Sequence, residues 1–316
     1  MGLDMKFYFA PMEGVSGYIY RNAYHKHFHN MDRYFTPFIA PKKNHAMSSK
    51  EKNDVLPENN IGMETIPQIL TNQAEYFLHT SSVLAEMGYR EVNLNLGCPS
   101  STVVTKKKGA GFLSEPDRLE HFLEDVVKGL EPLGMQLSIK TRIGMRDAEE
   151  FADLLDLYND FPLTELIIHP RLQTDLYNNT PDWEAFRQAV DTSKHTLCYN
   201  GDLFTVEAYE QFCNAFPQID RVMFGRGVLR NPCLVDGIQN GTAVDYATIR
   251  LFHDDILEGY TEAFSGDRPV LFKMKELWSH MLPLFPQGET YAKSIRKVER
   301  IGEYKGIAQQ LFSTVL

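Results

Sequence analysis

Short apolar runs typical of buried β-strands recur along the first 224 residues. There are eight, with starts 26 to 45 residues apart: Phe7–Ala10, Tyr34–Ile39, Thr65–Ile69, Val92–Leu96, Leu137–Ile139, Leu166–Ile168, Thr196–Tyr199 and Val222–Phe224. Segments with helical periodicity lie between them, for example Ala74–Met87 and Glu115–Leu130. Strands that alternate with helices indicate βαβ units and a parallel sheet. Eight units predict an α/β fold, a closed (β/α)8 TIM barrel.

The pattern changes after about residue 240, where strand-like runs stop. Asp245 can cap a helix whose apolar positions run from Ile249 to Phe264 in steps of three and four. Helical spacing returns from Leu271 to Met281, and again from Tyr304 to Leu311. We therefore predict a barrel domain over residues 1–240 and a small helical domain over residues 241–316.

Residues that can contact a ligand stand at the ends of the apolar runs, where a TIM barrel places its active site. Gln68 and Asn95 lie within the last part of their runs. The residues that follow the runs are Pro11 and Met12, Cys98, Lys140 and Arg142, His169 and Arg171, Asn200, Gly201 and Asp202, and Gly225 and Arg226. Turn chemistry accounts for a single Asn-Gly-Asp or Gly segment. It does not account for Lys, Arg, His and Cys gathered at one rim, so the sequence predicts a functional site there.

Two loops of this rim suggest a phosphate group. Barrels often bind phosphate with the loops after strands 7 and 8, where glycines allow close approach and a helix start offers N–H donors. Gly201 and Gly225 stand in those loops, and Arg226 can add a bidentate contact. A ligand with a terminal phosphate is therefore expected.

Lys140 has three interpretations: a solvated or ion-paired lysine, a Schiff-base lysine as in barrel aldolases, or a cation beside a bound ring such as a reduced flavin. The phosphate loops and the amides of Gln68 and Asn200 favour the flavin. Cys98 lies in a tight Gly-Cys-Pro segment and, as a protonated thiol, can donate a proton. A nucleophilic thiolate is the alternative, but no histidine stands near it in the sequence.

Seven stretches together match one family. APMEGVSG (10–17), PQILTN (67–72), NLNLGCPS (93–100), KTRIG (140–144), HPR (169–171), YNGD (199–202) and FGRGVLRNP (224–232) resemble the tRNA-dihydrouridine synthases, in that family's order. The helical tail resembles the family's RNA-binding domain. Pro170 departs from the pattern, because the family commonly has glycine between this His and Arg.

The resemblance implies an FMN-dependent enzyme that reduces the C5–C6 double bond of uridine in tRNA, with NADPH (or NADH) restoring the flavin. Cys98 matches the family's proton donor to C5, and the flavin would give hydride to C6. The residues that match flavin contacts are Pro11, Met12, Gln68, Lys140, His169, Asn200, Gly201, Asp202, Gly225 and Arg226. Asn95 and Arg171 match positions that face the target base, and Arg142 is assigned to the substrate with them.

The charge balance bears on the tRNA partner. The chain has 32 Lys and Arg against 42 Asp and Glu, a net charge of −10, which by itself argues against nucleic acid. The tail carries only −1 of this, and its Lys293, Arg296, Lys297 and Arg300 share one face if they lie on one helix. Lys42-Lys43 and Lys106-Lys107-Lys108 follow strands of the barrel. We expect these clusters to contact phosphates, and Tyr177 to stack on the extruded base.

Other classes remain open from the sequence. A barrel flavoenzyme for a free pyrimidine, similar to dihydroorotate dehydrogenases, would not need the helical tail. An aldolase using Lys140 would bind no flavin, and a non-catalytic RNA-binding protein would not need Cys98. We expect a cytoplasmic monomer without a membrane span. No metal site is expected, because His25, His27 and His29 lack Cys or carboxylate partners at ligand spacing.

Overall fold

The computed structural model describes residues 4–43 and 45–316. Its strands are β1 Lys6–Phe9, β2 Arg33–Phe35, β3 Thr65–Ile66, β4 Gln68–Ile69, β5 Glu91–Leu96, β6 Gln136–Arg142, β7 Glu165–His169, β8 Leu197–Tyr199 and β9 Arg221–Phe224. They form one sheet in the order β3-β2-β1-β9-β8-β7-β6-β5-β4, and every recorded pairing is parallel. β3 and β4, at the two ends of this order, are halves of one predicted run split by Pro67, which has no N–H for a ladder. The predicted TIM barrel is therefore confirmed.

Helices alternate with these strands and continue beyond them. Their bounds are α1 Tyr18–Phe28, α2 Ser49–Val55, α3 Ala74–Glu86, α4 Ser101–Val104, α5 Pro116–Leu130, α6 Glu150–Asn159, α7 Trp183–Thr192, α8 Val206–Ala215, α9 Arg226–Arg230, α10 Leu234–Asn240, α11 Tyr246–Ala263, α12 Asp267–Met281, α13 Gly288–Lys297 and α14 Ile301–Phe312. Asp245 caps α11 as predicted, since its side chain accepts the N–H groups of Ala247 and Thr248. None of the helices in the described residues is long and apolar enough to cross a membrane.

Packing divides the described chain into two compact units. The first comprises the chain up to Pro11, Asp32–Asp202 and Cys213–Met223, and it contains the strands up to the penultimate residue of β9. The second comprises Met12–Met31, Leu203–Phe212 and Phe224–Leu316, with α1 and α9–α14. The domain boundary at residues 240/241 stays a prediction from the sequence pattern.

The barrel interior in the first unit is apolar over most of its circumference. Its buried cluster consists of Tyr8, Ala10, Phe35, Ile66, Ile167, Cys198 and Met223. Where β7 and β9 begin, Glu165 accepts hydrogen bonds from Tyr8 Oη (3.0 Å) and Arg221 Nη1 (3.1 Å). Burial raises the pKa of this carboxyl, and the arginine opposes that rise. The barrel end away from the predicted site is thus filled by a compensated carboxylate.

The core of the second unit is aromatic. Trp278 Nε1 donates to Tyr304 Oη (2.7 Å), and the same hydroxyl lies 2.5 Å from His253 Nε2. All three side chains are at least 99% buried. Because Trp278 Nε1, Tyr304 Oη and His253 Nε2 all have hydrogen-bond partners, burying these large rings costs little free energy from lost hydrogen bonds to water.

Candidate active site

The inner face of β4, β5 and β6 is polar, unlike the rest of the barrel interior. The parallel ladder pairs Gln68 with Asn93, Asn93 with Ser138, Asn95 with Lys140, and Arg142 with His169. Side chains of alternate residues point to the same face of a strand, so this set projects into the barrel in successive layers. The predicted residues among them therefore lie inside the strands and not in the loops that follow.

Asn95 connects this polar face to the segment that carries Cys98. Its Nδ2 donates to Gln68 Oε1 (2.7 Å), while its Oδ1 accepts the N–H groups of Gly97 (3.1 Å) and Cys98 (2.9 Å). Asn95 is 7% exposed and Gln68 is fully buried. The amide of Asn95, predicted to face the target base, thus fixes the turn that leads into Cys98.

The Cys98 loop, Gly97–Ser100, is held from three further directions. Arg142 Nε donates to the carbonyl of Gly97 (2.9 Å), and the backbone N–H of Ala110 donates to the carbonyl of Cys98 (3.1 Å). Gln173 Nε2 donates to the carbonyl of Pro99 (3.3 Å). All of these bonds are to the backbone, so the loop keeps its position whatever the side chain at residue 98, whose thiol is partly exposed.

Gly109 packs directly under this loop and provides a test of its rigidity. Its φ is +55°, and an added Cβ would lie 2.8 Å from the carbonyl oxygen of Cys98. We expect Gly109→Ala to lower the free energy of unfolding by roughly 1–3 kcal/mol and to reduce activity by displacing Cys98. Denaturant unfolding and steady-state rates measure the two effects.

Gly134 supplies the matched control. It has φ +60°, but among the described residues nothing lies within 4 Å of the place that an added Cβ would occupy. Gly134→Ala therefore isolates the backbone cost from the clash. Equal losses of stability and activity in the two variants would show that contact with Cys98 is not what matters.

Lys140 lies on the inner face of β6. Burial, followed by the charge of Arg142, lowers its pKa from 10.5 to about 7. Within residues 4–43 and 45–316 no carboxylate forms an ion pair with it. A desolvated amine without a counter-charge fits a ligand that carries or develops negative charge beside it.

Arg142 and Tyr177 form a second fixed arrangement. Arg142 is 1% exposed and donates from Nη1 to Leu172 O (2.7 Å) and from Nη2 to Leu176 O (2.5 Å). Its guanidinium lies 5.5 Å from the centre of the Tyr177 ring, which is 49% exposed. Burial lowers the pKa of Arg142 to about 10. Arg142 therefore lies beneath the loop that carries Tyr177. The N–H groups of Arg142 donate to backbone carbonyls.

Arg171, two residues after the end of β7, plays a similar part. It forms a two-bonded pair with the carboxylate of Asp202 and donates from Nε to Asn178 O (3.0 Å). Nη1 also lies 2.9 Å from His169 Nε2. Because guanidinium only donates, His169 Nε2 must accept, and the proton of the neutral ring sits on Nδ1. Asp202, predicted at the phosphate end, is thus committed to Arg171 at this rim.

In the loop after β8, the side chain of Tyr199 packs directly against the backbone of Gly201. Asn200 Nδ2 donates to Met223 O (2.7 Å), which ties β8 to β9. A Cβ on Gly201 would lie 2.2 Å from Tyr199 Oη, which accepts from Trp183 Nε1 (3.0 Å). Only glycine fits at position 201. Pro11, partly exposed, follows β1 in the same unit.

Three predicted flavin contacts belong to the second unit. The carbonyl of Met12 accepts the N–H groups of Val15 and Ser16. Gly225 precedes the five-residue helix α9, and the guanidinium of Arg226 lies 5.3 Å from the centre of the Phe204 ring. The assignment of Met12 to the flavin ring, and of Gly225 and Arg226 to the phosphate end, stays a prediction.

The four basic residues predicted to share one face of the tail are all exposed, but they do not lie on one helix. Lys293, Arg296 and Lys297 belong to α13, which ends at Lys297 because Val298 is extended (φ −60°, ψ 138°). Arg300 is the N-cap residue of α14. The expectation of a single helical face with four cations was therefore wrong for Arg300, whose contact with tRNA stays a prediction.

His25 and His27 of α1, and His29 just after it, interact with other side chains. His27 Nε2 lies 2.7 Å from Asp255 Oδ2, and the rings of His25 and His29 are 4.8 Å apart. In the part of the chain that the structure describes, no group of three or more His, Cys, Asp and Glu could hold a metal ion.

The fold and the rim define an α/β-barrel enzyme with a thiol in the loop after β5 and an amine on the neighbouring strand β6. Solved structures with this architecture include morphinone reductase in complex with tetrahydroNAD, with a TM-score of 0.55 and 13% identity over 79% of this chain and 90% of that chain. A 2-naphthoyl-CoA reductase complex has a TM-score of 0.55 and 11% identity over 76% of this chain and 50% of that chain. These likenesses show the fold.

Sequence comparison identifies the family. The model of the dihydrouridine synthase family matches residues 8–304. A probable tRNA-dihydrouridine synthase of Staphylococcus epidermidis is 28% identical over 233 residues, which are 72% of this chain and 69% of that protein. The tRNA-dihydrouridine(16) synthase of Pseudomonas putida is 25% identical over 247 residues, 76% of this chain and 75% of that protein. The chain belongs to the dihydrouridine synthase family and is an oxidoreductase.

Proposed function

We propose that this protein reduces the C5–C6 double bond of uridines in tRNA with FMN as its cofactor. One observation supports this most. The fixed loop that carries the Cys98 thiol follows β5, and the amine of Lys140, which has no carboxylate partner, lies on the adjacent strand β6. A reduction of this kind needs one group that gives a proton and another that tolerates negative charge on the cofactor.

The residues of the first unit fit a flavin. Lys140 offers a cation without a carboxylate partner. His169 is the last residue of β7, and Asn200 directly follows β8. Gln68 has its amide in the buried layer below. Met12, Gly225 and Arg226 are proposed contacts by resemblance. When bound in its reduced form, FMN supplies the hydride for C6.

Cys98 completes the reduction. An ordinary thiol with a pKa near 8.5 is mostly protonated at neutral pH, so Cys98 can give its proton to C5 as C6 gains hydride. The remaining thiolate regains a proton from solvent, which it can reach because the side chain is partly exposed. Uridine gains two hydrogens in sum, and NADPH, or NADH, would supply the electrons for each further turnover.

The nucleic-acid partner is proposed from the relatives, two of which are named as tRNA-dihydrouridine synthases. A base inside a folded arm must be extruded to reach Cys98. Tyr177, half exposed and backed by Arg142, is suited to stack on it. Exposed cations near β2, after β5 and in the tail are proposed phosphate contacts: Lys42, Lys43, Lys106, Lys107, Lys293, Arg296, Lys297 and Arg300.

The experiment compares substrates on one protein preparation. The chromophore released by denaturation is identified by mass, and NADPH oxidation is then followed with unmodified tRNA, free uracil and orotate. FMN together with tRNA-dependent oxidation is expected. Release of no flavin, or oxidation that depends on a free pyrimidine and not on tRNA, would contradict the proposal.

A further inference from the structure

A chain of side-chain amides crosses three strands beneath the Cys98 loop. Asn93 Nδ2 donates to Ser138 Oγ (3.0 Å), Gln68 Nε2 donates to Asn93 Oδ1 (2.7 Å), and Asn95 Nδ2 donates to Gln68 Oε1 (2.7 Å). The chain ends where Asn95 Oδ1 accepts the N–H groups of the Cys98 loop. We call these four residues, Ser138, Asn93, Gln68 and Asn95, the amide relay.

The direction of every bond in the amide relay is determined by its neighbours. Each amide donates one N–H and accepts at least one, and Asn95 accepts two. Reversing any one of the amides would therefore oppose two donors or two acceptors. Ser138, Asn93 and Gln68 are fully buried, and no water can replace a lost partner cheaply. Such a network holds one arrangement, and each member depends on the others.

The amide relay also connects the proposed proton donor, Cys98, with a proposed flavin contact. At one end it fixes the backbone of Cys98, and in its middle stands Gln68, a proposed flavin contact. Asn93 and Ser138 lie one layer deeper than Asn95 and Lys140, and neither is among the proposed contacts of the flavin or the base. Asn93 reaches the proposed site only through its hydrogen bond with Gln68.

We propose that the amide relay sets the position of the Cys98 thiol, which makes Asn93 and Ser138 positioning residues for a reaction that neither touches. This inference rests on the proposed function, in which Cys98 gives the proton. The register of β4, β5 and β6, transmitted through Asn95, then determines where the thiol meets the base.

Ser138→Ala is the test, with Thr141→Val as its matched control. Ser138→Ala removes the last acceptor and leaves Asn93 Nδ2 without a partner, so the relay must rearrange. Thr141 is equally buried on the same strand, but its hydroxyl bonds Tyr158 Oη (3.0 Å) outside the relay. Since small misplacements near reacting atoms are costly, we expect Ser138→Ala to lower kcat on the order of tenfold with KM for tRNA little changed. Thr141→Val should keep both constants.

A second measurement does not depend on the proposed reaction. Alkylation of Cys98 by iodoacetamide is followed by peptide mass spectrometry, with the half-buried Cys213 of α8 as an internal reference. Ser138→Ala and the stronger variant Asn93→Ala should change the alkylation rate of Cys98 but not that of Cys213. Thr141→Val should change neither.

The outcomes separate cleanly. Unchanged alkylation of Cys98 and unchanged kcat in both relay variants would overturn the proposal, and so would an equal loss of kcat in Thr141→Val. If the wild-type protein forms no dihydrouridine but alkylation of Cys98 still follows the relay, the proposed function fails and the positioning role stands.

Discussion

Cys98→Ala is expected to lower the rate of uridine reduction by about 10²- to 10⁴-fold, the usual contribution of a general acid. Binding of flavin and tRNA should persist, because the loop is held through the backbone bonds to Asn95, Arg142 and Ala110. Turnover is measured with saturating tRNA and NADPH, and affinities are measured separately by flavin absorbance and by filter binding.

Two variants sharpen this result. Cys98→Ser keeps the size of the side chain but replaces the thiol by a far weaker acid, so it should resemble Cys98→Ala. Cys213→Ala changes a partly exposed cysteine of α8 and should leave turnover unaltered. Substantial turnover by Cys98→Ala on the same tRNA would exclude Cys98 as the proton donor.

Lys140→Met should have the second largest effect, a loss on the order of 10²-fold in the rate of reduction, together with weaker flavin binding. The variant removes a charge on the inner face of β6 that, unlike Arg142, is not committed to backbone carbonyls. It should also raise the melting temperature of the flavin-free protein, because it removes a desolvated ammonium group.

The pH dependence follows from the pKa of about 7 for Lys140 without flavin. A ligand with negative charge favours the protonated amine and raises this pKa. Affinity for flavin should therefore be full below pH 7 and should fall as the pH rises from 7 towards the higher pKa of the complex. Lys140→Met should lose this dependence, and Lys140→Arg should lose it while keeping a positive charge. Fluorescence titration of flavin between pH 6 and pH 9 measures it, and an identical profile in Lys140→Met would contradict this role.

The stability of the flavin-free protein depends on pH in the opposite direction to the affinity for flavin. The pKa of Lys140 is lower in the folded protein than its ordinary 10.5, so the unfolded chain binds more protons between pH 7 and pH 10.5. The Lys140 contribution thus makes the flavin-free protein more stable as pH rises through this window. The gain in melting temperature of Lys140→Met should be largest below pH 7.

The sequence predicted all eight strand positions but placed Lys140, Arg142 and His169 beyond the strands that contain them. An apolar run ends at its first polar residue, yet β6 continues through Lys140 to Arg142, and β7 ends at His169. The barrel interior is polar at this corner, so hydrophobicity underestimates strand length there. Alternation of polar residues at 138, 140 and 142 is the signal that would have revealed Ser138 as inward-facing.

The arginines show what sequence could not supply. Arg142 and Arg171 were assigned to the substrate, whereas the structure uses their donors on carbonyls of Leu172, Leu176 and Asn178. Every residue has a carbonyl, so such partners leave no side-chain pattern. Gln173 was likewise missed, since only the folded loop brings it to Pro99. The end of α13 at Lys297 also has no Pro or Gly to announce it.

The most direct measurement is the mass of the tRNA product. Purified, flavin-loaded protein is incubated with NADPH and unmodified tRNA, and the digested RNA is analysed by mass spectrometry beside a Cys98→Ala reaction. We expect uridine heavier by two hydrogens at defined positions with the wild-type protein and little of it with the variant. If an active, flavin-loaded preparation forms no heavier uridine, even on tRNA isolated from cells, the protein does not reduce uridine in tRNA.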